Sequence, residues 1–470
     1  MAESFPIPPF QNAMVREAAV DETMVPQDSV ELSLNLHFDR IGAVERRLGI
    51  TPLGTQLVDN TPILGMGFFR NNAGTTYGAL AKVGTVVKAY LGSSWADVRT
   101  GLTASSKARF TNFVDYVFMV NGTGNEVLST WNGSGNFGAT NDADLPKGDF
   151  IENYRSRIWV AQATVDKVYY SDVVNTDNTI TGGASFIQIS PNDGEKITGL
   201  KRHPRALLVF KQNHIYRIFS TNSTDPDPSI FRGTYSQESI VEAKDGIHYH
   251  HPTGFYKFVF DGEQEEISRP IIDVIKAIPR TAYENIAGWA DDDHIYWSIG
   301  DITLRGVTLQ NVVCRRTIST KAWTLYSYPN EFRSSTLYDD GTDLFYLIGD
   351  TDGNVMKHNV GNDDNGSPIF YDLITHWMYL TANQNTAKTI SELVAMHEDA
   401  AGSNVAFQVD QENQGDDNNA WKPIGKLNDT LATKLSCDAK NFTRIRFRVF
   451  GSSSGTPFLF RSFEILDLST

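Results

Sequence analysis

Cysteine is nearly absent: Cys314 and Cys437 are the only two in 470 residues. Two thiols so far apart cannot staple a small secreted domain, and they read as buried free thiols of a reducing compartment. No run of 18 or more apolar residues occurs, so neither a membrane-spanning helix nor membrane insertion is expected. The first twenty residues lack the basic and apolar regions of a secretory signal. The tripeptides beginning at Asn121 and Asn441 (N-x-S/T) therefore read as turn chemistry and not as glycosylation sites.

Basic charge is in deficit, 41 Lys and Arg against 56 Asp and Glu, for a net −15. That balance excludes a protein that grips phosphates over its whole surface. It fits solubility, assembly through local patches, or repulsion of a polyanion. Catalytic signatures are missing too. Gly451 to Gly455 matches G-x-S-x-G, but Pro457 and a strand follow where a nucleophile elbow needs a helix. Gly133 to Gly138 matches G-x-G-x-x-G, again without the helix that would face a pyrophosphate. There is no P-loop, no H-E-x-x-H and no sialidase-type S-x-D-x-G-x-T-W repeat. No cofactor is expected.

What the chain does have is apolar content, 40%, with 11% aromatic residues, enough for a sizeable core. Length alone suggests about three domains at roughly 150 residues each, and the pattern divides the chain into three segments. Residues 1–40 carry Pro6, Pro8, Pro9 and Pro26 with apolar anchors such as Phe5, Ile7, Phe10, Leu32, Leu34 and Leu36. They read as an extended arm that docks on its own chain or on a neighbouring subunit.

Residues 41–365 show short runs of Val, Ile, Phe, Tyr and Trp cut by turn residues; 116–120, 157–161, 207–210 and 294–299 are examples. Asn121-Gly122, Asn132-Gly133, Asp245-Gly246, Asp261-Gly262, Asp340-Gly341 and Asp352-Gly353 are turn signals. Helix is scarce, with one clear candidate at 271–277, after Pro270. Strand pairs recur at roughly 35–50 residues, the signature of a propeller. The expected fold is all-β: a β-propeller of six or seven blades, the alternatives being paired sandwiches or a solenoid. Residues 366–470 read as a small β-sandwich-like domain, with 443–450 alternating strictly and 458–466 as its hairpin partner.

Several residues are candidates for chemistry. His248 and His250 share a strand face and would hold a metal only if a third ligand came from elsewhere; partly exposed strand histidines are the simpler reading. Oxygen-rich turns at Asp291 to Asp293, Asp339-Asp340, Asp350-x-Asp352-x-Asn354 and Asp363-Asp364 read as solvated turns before calcium loops, because none completes a twelve-residue loop with a terminal glutamate. Basic residues cluster at Lys201 to Lys211 and at Arg315, Arg316 and Lys321. Arg444, Arg446 and Arg448 form a row that is either a solvated face or a subunit contact.

Three stretches carry a resemblance: Glu45-Arg46-Arg47-Leu48-Gly49-Ile50-Thr51; the strand from Arg109 to Asn121-Gly122 followed by Trp131-Asn132-Gly133; and Ser239 to Asp261-Gly262 running into Glu266 to Ile275. The strand 443–449 adds a fourth. Together they resemble the β-propeller head-to-tail, tail-hub and nozzle proteins of short-tailed bacteriophages, also called packaged-DNA stabilisation proteins. The resemblance covers about 41–470 and leaves the arm outside it. It implies a homo-oligomeric ring, usually six-fold, below the portal or an adaptor and beside other tail proteins. Such a ring encloses a channel through which double-stranded DNA passes without specific binding, and no enzymatic activity is implied.

The expected function is therefore that of a virion structural protein, assembled in the host cytoplasm, that retains packaged genome and lets it pass during ejection. A lumen that must pass DNA quickly should repel it, over a Debye length of roughly 8 Å. Asp291, Asp292, Asp293, Asp363 and Asp364 are the candidates to face that channel, and Arg444, Arg446 and Arg448 the candidates for subunit contact. The alternatives are a carbohydrate-binding or carbohydrate-active propeller, whose paired carboxylates a sequence cannot locate, and a generic interaction scaffold.

Overall fold

Strands such as Tyr116–Val120 (YVFMV) and Leu207–Lys211 (LLVFK) are apolar at nearly every position because both of their faces are buried. Val117 and Met119 pack with Leu80 and Val87 of the preceding sheet, while Phe118 and Val120 pack with Ile158 and Val160 of the next. Leu207 and Val209 face back in the same way, and Leu208 and Phe210 face forward. A four-stranded sheet clad on both faces by like sheets is a propeller blade. A computed structural model describes residues 3–6, 14–15, 26, 28–40, 43–122, 126–139, 146–173, 185–222, 230–261, 263–380, 386–398, 404–412, 421–427, 431–455 and 457–469. Gly262 and the arm anchors Ile7 and Phe10 lie outside the described residues.

Seven blades follow in order among the described residues: 63–99, 109–139, 150–188, 197–231, 241–266, 287–327 and 332–358. Each runs from its inner strand outward by antiparallel hairpins. The seventh supplies three strands and takes its fourth from upstream: Ile50–Pro52 pairs with Val355–His358, Thr51 opposite Lys357. That pairing closes the ring, and the inner strand of blade 7, Phe332–Asp339, lies against that of blade 1, Ile63–Arg70. Ser334 donates its hydroxyl to the Ile63 carbonyl at 3.0 Å across the seam. Inner strands crowd at the axis, so Gly65 has no room for a side chain: a Cβ there would lie 2.1 Å from the Ala108 carbonyl oxygen of blade 2. The expected helix is present as Ile272–Ala277, after a 3-10 turn containing Pro270. It drives Val274 and Ile275 into a core shared with Phe255 and Trp297, each such burial being worth about 1.5–3 kcal/mol.

The remaining strands form a β-sandwich. One sheet runs Val30–Leu34, Ile369–Thr375, Arg444–Ser453, Asn404–Glu412 and Lys422–Lys426; the other holds Leu36–His37, Val44–Arg46, Leu459–Ser469, Lys388–Glu398 and Ala432–Phe442, with Glu3–Pro6 added to Leu459–Ser469. Phe407 and Phe447 of the first sheet meet Phe463 of the second at ring distances of 5.2 and 5.1 Å.

Three expectations change here. The segment 458–466 is not the hairpin partner of 443–450; the chain crosses between sheets after Ser453, and the two strands face each other through the core. The arm, where it is described, docks on its own chain and is not set apart from it. Val30–Leu34 lies between the outer strand of blade 6 (Leu34 parallel to Leu325) and Ile369–Thr375 (Leu34 opposite Asp372), making blade 6 and the sandwich one nine-stranded sheet. Finally, Val44–Arg46 belongs to the sandwich, so the propeller begins at Ile50 and not at residue 41. Asn35 is the corner. Its φ of 57°, tolerable for asparagine, turns the chain from one sheet to the other, and its side chain accepts from Arg47 Nε (2.7 Å) and donates to the Phe370 carbonyl (2.6 Å).

Candidate interaction surfaces and the closed propeller axis

The 3-10 turn Gln237–Ser239 leads into blade 5 and touches the inner strands of blades 4, 6 and 7, which places it at the axis. Its Glu238 accepts from Lys107 Nζ at 2.8 Å and from Arg109 Nε at 2.9 Å, both at the start of blade 2. Blades 2 and 5 lie on opposite sides of a seven-membered ring, so these ion pairs span the axis. Lys107 also donates to the Glu284 carbonyl (2.8 Å) and Arg109 Nη1 to the Asp149 carbonyl (2.6 Å), tying in the approaches to blades 6 and 3. Burial alone would raise the Glu238 carboxyl, but Arg109 and Lys107 outweigh it and hold it down at about 2.

Below this latch, side chains satisfy the inner-strand backbone that no further strand pairs. Asn112 donates to the Phe68 carbonyl of blade 1 and Asn153 to the Asn112 carbonyl (2.5 Å), and Arg202 holds the Asn153 side chain through Oδ1 (3.1 Å).

The five acidic channel candidates separate. Asp291, Asp292 and Asp293 form the hairpin between the two inner strands of blade 6. Asp291 Oδ1 lies 2.6 Å from His294 Nδ1, and Oδ2 accepts from the Tyr296 hydroxyl at 2.9 Å. Asp293 is held by Lys244 and by Ser319. Asp292 is exposed. Asp363 is half-buried and accepts the Gly366 N–H at 2.8 Å. Asp364 corrects the expectation, because it is 5% exposed and paired with Arg47, so it faces no channel.

The arginine row is also corrected as a free subunit contact. Its three members share a strand face, as alternation requires, but their counter-ions are the chain's own. Arg444 pairs with Glu412, Arg446 with Asp410 (2.9 Å) and Glu31 (3.1 Å), and Arg448 with Asp372 (2.7 Å). Trp377 and Trp421 stack on Arg446 with ring centroids 4.5 and 4.9 Å from its guanidinium carbon. The row binds the arm strand to the sandwich.

A second polar cluster joins the arm to blade 6. Asp39 lies 3.4 Å from His294 Nε2 and 3.5 Å from His37 Nε2, and it accepts from Arg315 Nη2 at 2.5 Å. Burial raises the Asp39 carboxyl, but the His294 hydrogen bond and Arg315 hold it well below the usual range. Burial disfavours the His294 imidazolium, yet Asp291 and Asp39 on its two nitrogens raise it above the ordinary histidine value. Burial and then Arg315 push His37 down to about 3, so it is neutral.

His248 and His250 share a face as expected, but both are fully buried and not partly exposed. His248 Nε2 contacts Asp245 at 2.8 Å; His250 packs against Phe255 and Tyr283, and burial lowers it to about 3. Among the described residues no group of three or more His, Cys, Asp or Glu side chains is arranged to hold a metal. The Asp350 turn shows why its aspartates need no cation. Asp350 Oδ1 accepts the N–H groups of Asp352 and Asn354, and Oδ2 the amides of Asn330 and Asn354. Cys314 and Cys437 are buried free thiols.

Sequence reading missed the Glu238 latch and the Asp39–His294 bridge. Their partners lie 131 and about 250 residues apart, and no local pattern announces such a pairing.

No known protein family matches the chain by sequence profile, and no curated protein matches it. Solved structures similar to it include the Pan2 WD40 domain of Neurospora crassa, at 9% identity and a TM-score of 0.42, covering 68% of this chain and 96% of that one. The propeller assignment rests on the strand pairing above.

Proposed function

We propose that the chain is a bacteriophage virion structural protein, a subunit of a homo-oligomeric ring at the head–tail junction or tail nozzle that retains the genome and lets it pass, without catalysis. The observation that carries this reading is the nine-stranded sheet that welds blade 6 to the sandwich through the arm strand Val30–Leu34. It joins the propeller and sandwich through backbone pairing, which suits the heterologous contacts that close into a ring. In this reading the duplex runs through the lumen between subunits, because the Glu238 ion pairs cross the propeller axis. The net charge of −15 suits a lumen that repels DNA, and Asp292 and Asp363 are the acidic candidates left at the surface. The bacteriophage setting, the six-fold count and the portal or adaptor as neighbour come from the sequence resemblance.

Negative-stain imaging and light scattering of the purified protein, alone and with portal-containing particles, test the reading. Rings, or incorporation at the portal vertex, are expected. A monomer that never associates with particles would sink it, and a net-positive lumen in a reconstruction would sink the repulsion argument.

A further inference from the structure

Where blade 7 closes on blade 1, a cleft of about 540 Å³ opens between the blades. Tyr77 and Tyr90 supply its aromatic surface, backed by the nearly buried Tyr338, and Asp340, Thr342 and Lys357 are among its polar residues. We propose that this cleft binds a neutral glycan, an activity separate from ring assembly.

Three features of the cleft select that ligand class. Its volume lies within the roughly 300–1,000 Å³ of small-ligand sites, room for more than one sugar ring. Its ionisable pair, Asp340 and Lys357, balances to zero, so neither a polyanion nor a cation is favoured. Its lining combines the rings of Tyr77 and Tyr90 with the hydroxyl-bearing Thr75, Thr76 and Thr342, and Leu91, 46% exposed, adds apolar surface. A pyranose has the matching character, with C–H faces that lie on aromatic rings and hydroxyls around its edge.

The walls are also held in place before any ligand arrives. Each tyrosine is braced by a residue that does not line the cleft. Arg70 sits 5.3 Å from the Tyr77 ring centroid, Trp95 lies 5.4 Å from Tyr90, and Phe68 meets Tyr338 edge-on at 6.0 Å. The Tyr77 hydroxyl donates to the Gly74 carbonyl, and Gly341, at φ 88°, packs its backbone on the Tyr77 ring. Asn71 Oδ1 accepts the N–H groups of Thr75 and Thr76 at 2.8 and 3.0 Å, fixing the loop that forms one lip. Asp340 Oδ1 accepts the N–H groups of Thr342 and Asp343, leaving Oδ2 as an acceptor for sugar hydroxyls. Lys357 Nζ lies 4.0 Å from the Phe345 ring centroid, which steadies its donors. Such preorganisation removes much of the ordering cost of binding a flexible, heavily hydrated ligand.

The test is a glycan array of neutral and anionic oligosaccharides probed with the full chain, followed by calorimetry on the best hit. Selective binding of neutral glycans is expected, weakened at least tenfold by Thr342→Trp, which fills the cleft from an exposed turn, and by Asp340→Ala. Melting curves of both variants confirm folding, and Asp438→Ala on the distant sandwich surface is expected to bind like the parent. Absence of neutral-glycan binding, a preference for anionic glycans, or binding that folded Thr342→Trp retains in full would overturn the proposal. Ring formation is read separately by imaging, so either proposal fails without the other.

Discussion

Arg47 and Asp364 form a bidentate ion pair, Nη1 to Oδ1 at 2.8 Å and Nη2 to Oδ2 at 2.6 Å, across 317 residues of sequence. They join the segment that leads from the sandwich into the propeller to the segment that leads back. The Arg47 guanidinium also lies 4.0 Å from the Tyr328 ring centroid and donates to the Ser327 carbonyl at 2.7 Å. The Arg47 side chain is 1% exposed, so removing one partner strands a buried charge. Asp364→Asn is therefore expected to destabilise the protein by about 3–5 kcal/mol, read as a lower urea midpoint at unchanged slope. Arg47→Met combined with Asp364→Leu is expected to lose less than the two single changes summed. A single variant as stable as the parent would show that the pair does not hold the two units together.

The axial latch has its own pH dependence. The Glu238 carboxyl is held at about 2 in the fold, below an ordinary glutamate near 4.5. A depressed value means that its contribution is fully present above about pH 4.5 and is lost as pH falls toward 2. The shift corresponds to roughly 3 kcal/mol, and the side chain is only 14% exposed. Thermal melts between pH 2 and 6 are expected to fall more steeply for the parent than for Glu238→Gln, with the two curves converging at the acid end. Parallel curves would remove the latch from the stability of the propeller.

These two pairs mark the limit of what the sequence revealed. Tyr116–Val120 and Arg157–Ala161 were legible as strands to the residue, because a run of β-branched and aromatic side chains between turn residues needs no distant information. The seven-fold repeat was legible only as six or seven, since blade 7 takes its fourth strand, Ile50–Pro52, from about 300 residues upstream. Arg444, Arg446 and Arg448 were correctly placed on one face but misjudged as available. Alternation reports the face of a strand, not the carboxylates opposite it, and Glu31 comes from the far end of the chain. The tyrosine cleft was hidden for the same reason, its walls coming from blades at opposite ends of the propeller sequence.

Arg446 illustrates what such a hidden partner does. Its guanidinium is hydrogen-bonded to Asp410 and Glu31 and stacked between Trp377 and Trp421. Lysine keeps the charge but loses the planar fork and the stacking. Arg446→Lys is expected to cost about 1–3 kcal/mol and to weaken the amide protection of Val30–Leu34 in hydrogen exchange, because Glu31 loses one of its anchors while keeping Arg305. Unchanged protection of that strand would show that its backbone pairing suffices.

The last prediction concerns the arm at alkaline pH. His294 bridges Asp291 of the propeller and Asp39 of the arm, and those carboxylates raise its proton affinity while Arg315 opposes them. A histidine raised above its ordinary value near 6.5 stabilises the fold fully below that pH, and the contribution fades as pH climbs through the raised value. His37, which packs on the same Asp39, is neutral throughout this window and adds no slope. Once His294 is neutral, Asp39 loses a charged partner while keeping Arg315, Thr317 and the neutral His37, and the corner at Asn35 loosens. Amide protection factors, corrected for intrinsic exchange, are therefore expected to fall between pH 6 and 9 at Asn35, whose N–H donates to the Leu325 carbonyl at 2.8 Å. His294→Gln is expected to start with weaker protection at pH 6 and to lose little more by pH 9. The same decline in the variant as in the parent would mean that another group sets the alkaline limit of arm docking.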